Sequence, residues 1–159
     1  MKKVKFGFTV LLVLLLGTTV FSQEKKSGSI IGNIIIGGSV VSSDGYDTGF
    51  VCTGFDVNLI SKEGLQLTFG DMVNVSIENG VYQNLYFGLG YHFLKEKFHA
   101  GGSLIFVPDG NTDMLIGAKA DGGYFFTKNI GISALLLFAG GVMHDYTLLG
   151  GGLALTVRL

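Results

Sequence analysis

From about residue 29 the chain alternates apolar side chains with polar or small ones at a period of two, almost to its last residue. The stretch LQLTFGDMVNVSI, residues 65–77, shows the pattern. Leu65, Leu67, Phe69, Val73, Val75 and Ile77 fall on one face, and Gln66, Thr68, Gly70, Met72, Asn74 and Ser76 on the other. That period belongs to a β-strand with two unlike faces. One residue interrupts the apolar face, Asp71. No stretch past the N-terminal apolar run sustains the 3.6-residue period of a helix. The alternation, punctuated by turn residues, predicts eight strands at 29–41, 48–60, 64–77, 82–94, 97–107, 113–126, 130–142 and 146–159. These are longer than the about 5 to 6 residues usual in globular sheets and suit tilted strands that cross a bilayer in about 9 to 11 residues. Short connections make each strand the antiparallel partner of the next.

The character of the second face decides which side meets solvent. The apolar stripes read Val51, Thr53, Phe55, Val57 and Leu59; Leu85, Phe87, Leu89, Tyr91 and Phe93; Ile130, Ile132, Ala134, Leu136 and Phe138; and Leu149, Leu153, Leu155, Val157 and Leu159. The opposite faces carry Cys52, Gly54, Asp56 and Asn58; Asn84, Gly88, Gly90 and His92; and Gly150, Gly152, Ala154, Thr156 and Arg158. A solvated sheet face is normally rich in Lys, Glu and Thr, and here long charged side chains are nearly absent from strands. Small residues with occasional polar ones suit the inside of an eight-stranded barrel, which holds side chains but no open channel. The apolar stripes are then expected to face lipid.

The N-terminus changes the setting. MKKVKFGFTVLLVLLLGTTVFSQ has a basic start, an apolar run of about 11 residues and small-residue chemistry near Ser22, the pattern of a secretory signal. The run is shorter than the about 20 residues a spanning helix needs. Residues 1–22 are expected to be the signal peptide and 23–159 a single barrel domain. Without Lys2, Lys3 and Lys5 the remaining 8 basic residues face 12 acidic ones, which argues against nucleic-acid binding. A single cysteine, Cys52, excludes an intramolecular disulfide.

The turns are asymmetric. SKEG (61–64), KEK (95–97) and TKN (127–129) carry lysine at one end, whereas Asp44, Asp47, Glu78, Asp109, Asp113 and Asp145 mark the other. Eight strands bring both termini to the lysine end, which is therefore expected to be periplasmic. Tyr91, Phe93, Phe98, Tyr124 and Phe126 gather beside the lysine turns, as an interfacial aromatic girdle does.

On these stripes and turns the chain resembles the small eight-stranded outer-membrane barrels of diderm bacteria, of the OmpX and OmpA-barrel kind. The resemblance is architectural, with no sequence motif behind it, and the chain ends in Leu159 where such barrels commonly end in an aromatic residue. It implies an integral protein of the cell outer membrane, with outer-membrane lipid and the barrel-assembly machinery as partners and an unidentified partner at the surface.

Candidate chemistry is sparse. Lys119 and Asp121 share the inner face of strand six, and Asp56 projects inward from strand two with Asn58 and Gln66 near it. A buried charge needs a partner, so an interior polar plug of Lys119, Asp121, Asp56, His92 and His99 is expected. With Lys95 and Glu96 as a two-residue turn, His92 and His99 face each other across strands four and five. Two imidazoles alone make a weak metal site, no carboxylate of fixed register completes it, and no metal or cofactor is expected. Ser103 shares the face of His99, but a hydrolase needs a base oriented by a carboxylate beside the nucleophile, and none is evident. Asp-Gly and Pro-Asp-Gly in the acidic loops are accounted for by turn chemistry. The sequence thus predicts an all-β, single-domain, up-and-down eight-stranded transmembrane barrel with no enzymatic activity, serving a structural, surface-interaction or narrow-conduit role. Two alternatives remain open: an exported soluble, lipocalin-like barrel with its apolar stripes inward around an apolar ligand, and an outer-membrane lipid-modifying enzyme.

Overall fold

Tight turns commit each strand to pair with its neighbour in sequence, and after eight strands the sheet meets itself. The computed structural model describes residues 28–43, 45–76, 80–108, 114–142 and 146–159. Its strands are β1 (Ser29–Ser43), β2 (Tyr46–Ile60), β3 (Leu65–Ser76), β4 (Gly80–Lys95), β5 (Phe98–Pro108), β6 (Met114–Phe125), β7 (Ile130–Gly141) and β8 (Tyr146–Arg158). They form one closed antiparallel barrel in sequence order, with β1 paired to both β2 and β8. Closure removes the unpaired edges that an open sheet would expose. The expected signal segment, 1–22, lies outside the described residues, as do Asp44, Glu78, Asp109, Asp113 and Asp145 of the acidic turns.

The lysine-end turns are held by their own polar groups. Ser61 N donates to Leu65 O at 2.8 Å, and Leu65 N donates back to Ser61 Oγ at 3.1 Å. Gly64 completes this turn at φ 89°, a conformation that costs glycine little and other residues much. Thr127 Oγ1 accepts from Ile130 N at 2.9 Å in the β6–β7 turn. Between β4 and β5 the structure differs from the sequence reading by one residue: Lys95 pairs with Phe98, and Glu96 and Lys97 make the turn, with Glu96 at φ 48°. His92 therefore lies opposite Gly101 and His99 opposite Leu94, so the imidazoles are diagonal neighbours rather than an opposed pair.

The apolar stripes point outward. Ile36, Val51, Leu65, Leu89, Phe98, Leu104, Leu136 and Leu153 are each exposed by 60% or more. The soluble ligand-binder needs these stripes inside, and the barrel turns them out. Tyr91, Phe93, Phe98, Tyr124 and Phe126 project from the lysine end, with the Phe98 and Tyr124 rings 5.1 Å apart and Lys97 Nζ 5.9 Å from the Tyr124 ring centre. The inward face is less uniform than the expected lining of small residues. Toward the acidic end it is filled by Ile35, Met72, Tyr86, Ile105, Val107, Leu115, Leu135, Leu137 and Leu148, all buried.

Asp71 is reached without a bulge. The β2–β3 and β3–β4 registers run unbroken through it, pairing it with Phe55 and Leu85, so it stands on the outward face in phase with Phe69 and Val73. It is nonetheless only 1% exposed, and Gln83 Nε2, one step along β4 on the same face, donates to Asp71 Oδ2 at 2.8 Å. The other carboxylate oxygen has no hydrogen-bond partner. A half-satisfied acid on an apolar surface contributes little to folding. Asp71→Val is expected to leave the barrel folded and to change its unfolding free energy by less than about 1 kcal/mol, the scale of one net hydrogen bond. Denaturant titration followed by tryptophan-free far-ultraviolet dichroism measures this, and a loss above about 3 kcal/mol would mark the carboxylate as an anchor.

Candidate functional site

Read from the lysine end, each strand sends inward first apolar, then polar, then again apolar or small side chains. Ile31, Ile60 and Phe125, with Leu94 against them, form a small apolar layer at the lysine end. The guanidinium carbon of Arg158 stands 6.0 Å from the Phe125 ring centre at the same mouth. Beyond them lies a buried polar layer contributed by every strand: Asn33 on β1, Asp56 and Asn58 on β2, Gln66 and Thr68 on β3, His92 on β4, His99 and Ser103 on β5, Lys119 and Asp121 on β6, Ser133 on β7 and Thr156 on β8. The apolar residues of the acidic half cover it from above.

Lys119 is the centre of this layer. Its Nζ crosses the lumen to Asp56 Oδ2 at 2.5 Å, lies 3.1 Å from Asp121 Oδ1 on its own strand, and donates to Asn58 Oδ1 at 3.0 Å. Asp56 is further held by Asn33 Nδ2 at 2.7 Å, Asn58 Nδ2 at 3.1 Å and the Tyr86 hydroxyl at 3.3 Å. Asn58 Oδ1 also accepts from Gln66 Nε2 at 2.6 Å and Thr68 Oγ1 at 2.8 Å. An ammonium in a water-poor lumen is tolerated only when its protons are all met, and three acceptors meet them here.

The histidines flank Asp121. His92 Nδ1 is 3.9 Å and His99 Nδ1 3.7 Å from Asp121 Oδ2, and the two ring centres are 5.2 Å apart. Each ring also has a second partner: the same His92 Nδ1 meets Gln66 Oε1 at 3.1 Å, whereas His99 uses its other nitrogen, Nε2, to meet Ser133 Oγ at 2.8 Å. Two glycines make the room. A Cβ at Gly101 would collide with His92 Nδ1, and one at Gly123 would stand 2.7 Å from His99 Nε2. Ser103, by contrast, is buried with its hydroxyl 3.1 Å from Thr68 Oγ1, while the His99 nitrogen is taken by Ser133. Cys52 is buried inside the apolar half.

The structure therefore brings Lys119, Asp121, Asp56, His92 and His99 into one layer, with Asn58 and Gln66 beside them. Asn33, Thr68, Tyr86, Ser133 and Thr156 complete the layer without having been singled out from the sequence. Their inward phase was readable, but phase does not say which residues of different strands meet, and only closure of the barrel shows that these do.

No protein-family model matches the chain, and a search of curated proteins gives no match. Among solved structures the chain is similar to Neisserial surface protein A (NspA), with a TM-score of 0.55 and 13% identity over 83% of this chain and 96% of that one. It is similar also to Ail, the attachment invasion locus protein of Yersinia pestis, with a TM-score of 0.56 and 16% identity over 84% of this chain and 99% of that one. At these identities the likeness is one of fold, and the fold is the closed eight-stranded antiparallel barrel of the small outer-membrane proteins that the alternation resembles.

Proposed function

We propose that this chain is a small integral outer-membrane barrel with a closed lumen, a non-enzymatic envelope component that displays its acidic loops at the cell surface. The observation that carries the proposal is the outward face. Between Asp47 and Lys95 at its two rims, Asp71 is the only charged side chain on that face among the described residues. A soluble protein does not expose so continuous an apolar surface, whereas a bilayer requires one. The chain is expected to fold into detergent micelles and to migrate differently on gels with and without boiling. Monomeric, β-rich protein recovered in buffer without detergent would overturn the proposal.

Orientation follows from the turns. Both described ends of the barrel, Ser29 and Arg158, belong to the lysine rim, which supports a periplasmic lysine end. In a Cys52→Ser background, cysteine introduced at Asp44, Asp109 or Asp145 is expected to react with an impermeant thiol reagent on intact cells. Cysteine at Lys62 or Lys128 is expected to stay unlabelled until the outer membrane is opened, and the reverse pattern would invert the assignment.

The packed interior favours a stabilising plug over a conduit. Apolar side chains close the lumen on both sides of the polar layer, and the layer itself ties opposite walls together through Lys119. Lys119→Met leaves Asp56 and Asp121 without their shared cation, and is expected to lower stability by about 3 to 5 kcal/mol, the range for a buried pair stripped of one partner. Denaturant unfolding in micelles measures it. A variant as stable as the parent that conducts ions in planar bilayers would make Lys119 a gate instead.

A further inference from the structure

Buried polar groups inside this barrel are almost all paired, which makes the exceptions informative. His92 Nε2, His99 Nδ1 and both oxygens of Asp121 are buried without a hydrogen-bond partner, although Lys119 Nζ is 3.1 Å from Asp121 Oδ1. One donor atom from each of these three residues lies within 4.8 Å of the others. They come from three adjacent strands. Asp121, Gly101 and His92 sit side by side at one level across β6, β5 and β4, with His99 diagonal to His92. The missing side chain of Gly101 is what admits the His92 ring and Gln66 Oε1 at that level.

The surrounding network fixes which ring nitrogens carry hydrogen. Gln66 Nε2 donates to Asn58 and Thr68, so its Oε1 faces His92 as an acceptor and His92 Nδ1 must hold the proton. Nε2 is then a bare lone pair. On the other ring the proton order starts at Asp56. Asn33 Nδ2 donates to Asp56, Asn33 Oδ1 accepts from Thr156 Oγ1 at 2.7 Å, and Thr156 Oγ1 is then free to accept from Ser133. Ser133 Oγ in turn accepts from His99 Nε2. His99 Nδ1 is left bare, and it faces a carboxylate oxygen at 3.7 Å. Two acceptors turned toward each other in a dry interior repel unless a cation stands with them. The layer is also one positive charge short, because two carboxylates share one ammonium.

We propose that His92, His99 and Asp121 form a structural site for a borderline divalent cation of the zinc class, binding β4, β5 and β6 together from inside the barrel. Two neutral imidazoles and one carboxylate are a zinc-type donor set with one position left for water. Gln66 and Ser133 take the partner role that orients ligating histidines through their second nitrogen. Gly101 and Gly123 are the positions where a side chain would displace the two rings. Asp121 serves both cations, one oxygen toward Lys119 and the other toward the imidazoles. Ligand atoms on a tetrahedral zinc stand about 3.3 to 3.5 Å apart, given bonds of about 2.0 to 2.2 Å. The donor atoms, within 4.8 Å of one another, need to draw in by up to about 1.5 Å to reach that spacing.

The test is direct metal binding to the full chain, folded in whichever of micelles or buffer holds it. After equilibrium dialysis against zinc, elemental analysis is expected to find one zinc per chain, with cobalt substituting to give the visible ligand-field bands of a four-coordinate ion. His92→Gln, His99→Gln and Asp121→Asn are each expected to weaken zinc binding at least tenfold. His144→Ala and Cys52→Ser, which change the remaining histidine and the cysteine, are expected to leave it unchanged. Should the site variants fail to fold, X-ray absorption on the zinc-loaded parent chain decides, with imidazole scattering from two histidines at about 2.0 Å expected. Binding that is substoichiometric, that survives in all three variants, or that shows a first shell of sulfur or of oxygen alone would overturn the site. A parent chain that stays metal-free while His99 holds a second proton by nitrogen-15 NMR would assign the bare nitrogen to protonation instead.

Discussion

Lys119 sits where the barrel is narrowest in alternatives. Eight closed strands leave a lumen wide enough for side chains and too narrow for bulk water, so a polar group sent inward is costly unless another side chain meets it. The ammonium of Lys119 meets Asp56 across that lumen and Asp121 along its own strand. Around this contact the rest of the polar layer is arranged: Asn33, Asn58 and Tyr86 complete Asp56, and Gln66 and Thr68 complete Asn58. The layer joins strands that are far apart in sequence, Lys119 to Asn58 and Thr156 to Asn33 among them. Neighbouring strands are already tied by their backbone ladders, and the polar layer supplies what those ladders cannot, a link between opposite walls.

The division of the interior into layers follows from the same geometry. A polar layer in a low-dielectric lumen strengthens its own contacts and penalises any group left out. Apolar side chains above and below keep water from competing for those contacts, Ile31, Ile60 and Phe125 at the lysine end and Ile35, Met72, Ile105 and Leu137 toward the acidic end. The outer surface obeys the opposite rule. There the backbone is satisfied by the closed ladder, the side chains need only be apolar, and Asp71 is tolerated with Gln83 as its one donor.

The barrel, its strand order and the outward course of the Leu and Phe stripes were legible in the sequence, because a strand side chain has only two directions and alternation reports which residues share one. Asp71 was visible for the same reason, as the one acid out of phase with its chemistry. The inward hydrophobes of the acidic half were not. In β7, Leu135 and Leu137 point in while Leu136 and Phe138 point out, and a run apolar on both faces carries no alternation to read. The turn after β4 misled by one residue, since Lys95, Glu96 and Lys97 are equally suited to a turn and only the backbone conformation of Glu96 separates them. That single step changed the two histidines from an opposed pair into a diagonal one.

By itself, then, the sequence determined the local quantities: the strand period, the phase of side chains wherever polar and apolar positions alternate, and all but one of the turns at the lysine end. It also carried every member of the polar layer at its correct phase. What only the tertiary structure decided is which of those members touch. Register between neighbours sets Asp121 and Gly101 beside His92, and closure of β1 on β8 sets Thr156 beside Asn33. The reason is physical. Phase along a strand is a property of one chain segment, whereas contact across a lumen depends on the register and tilt of all eight strands at once, which no single segment encodes.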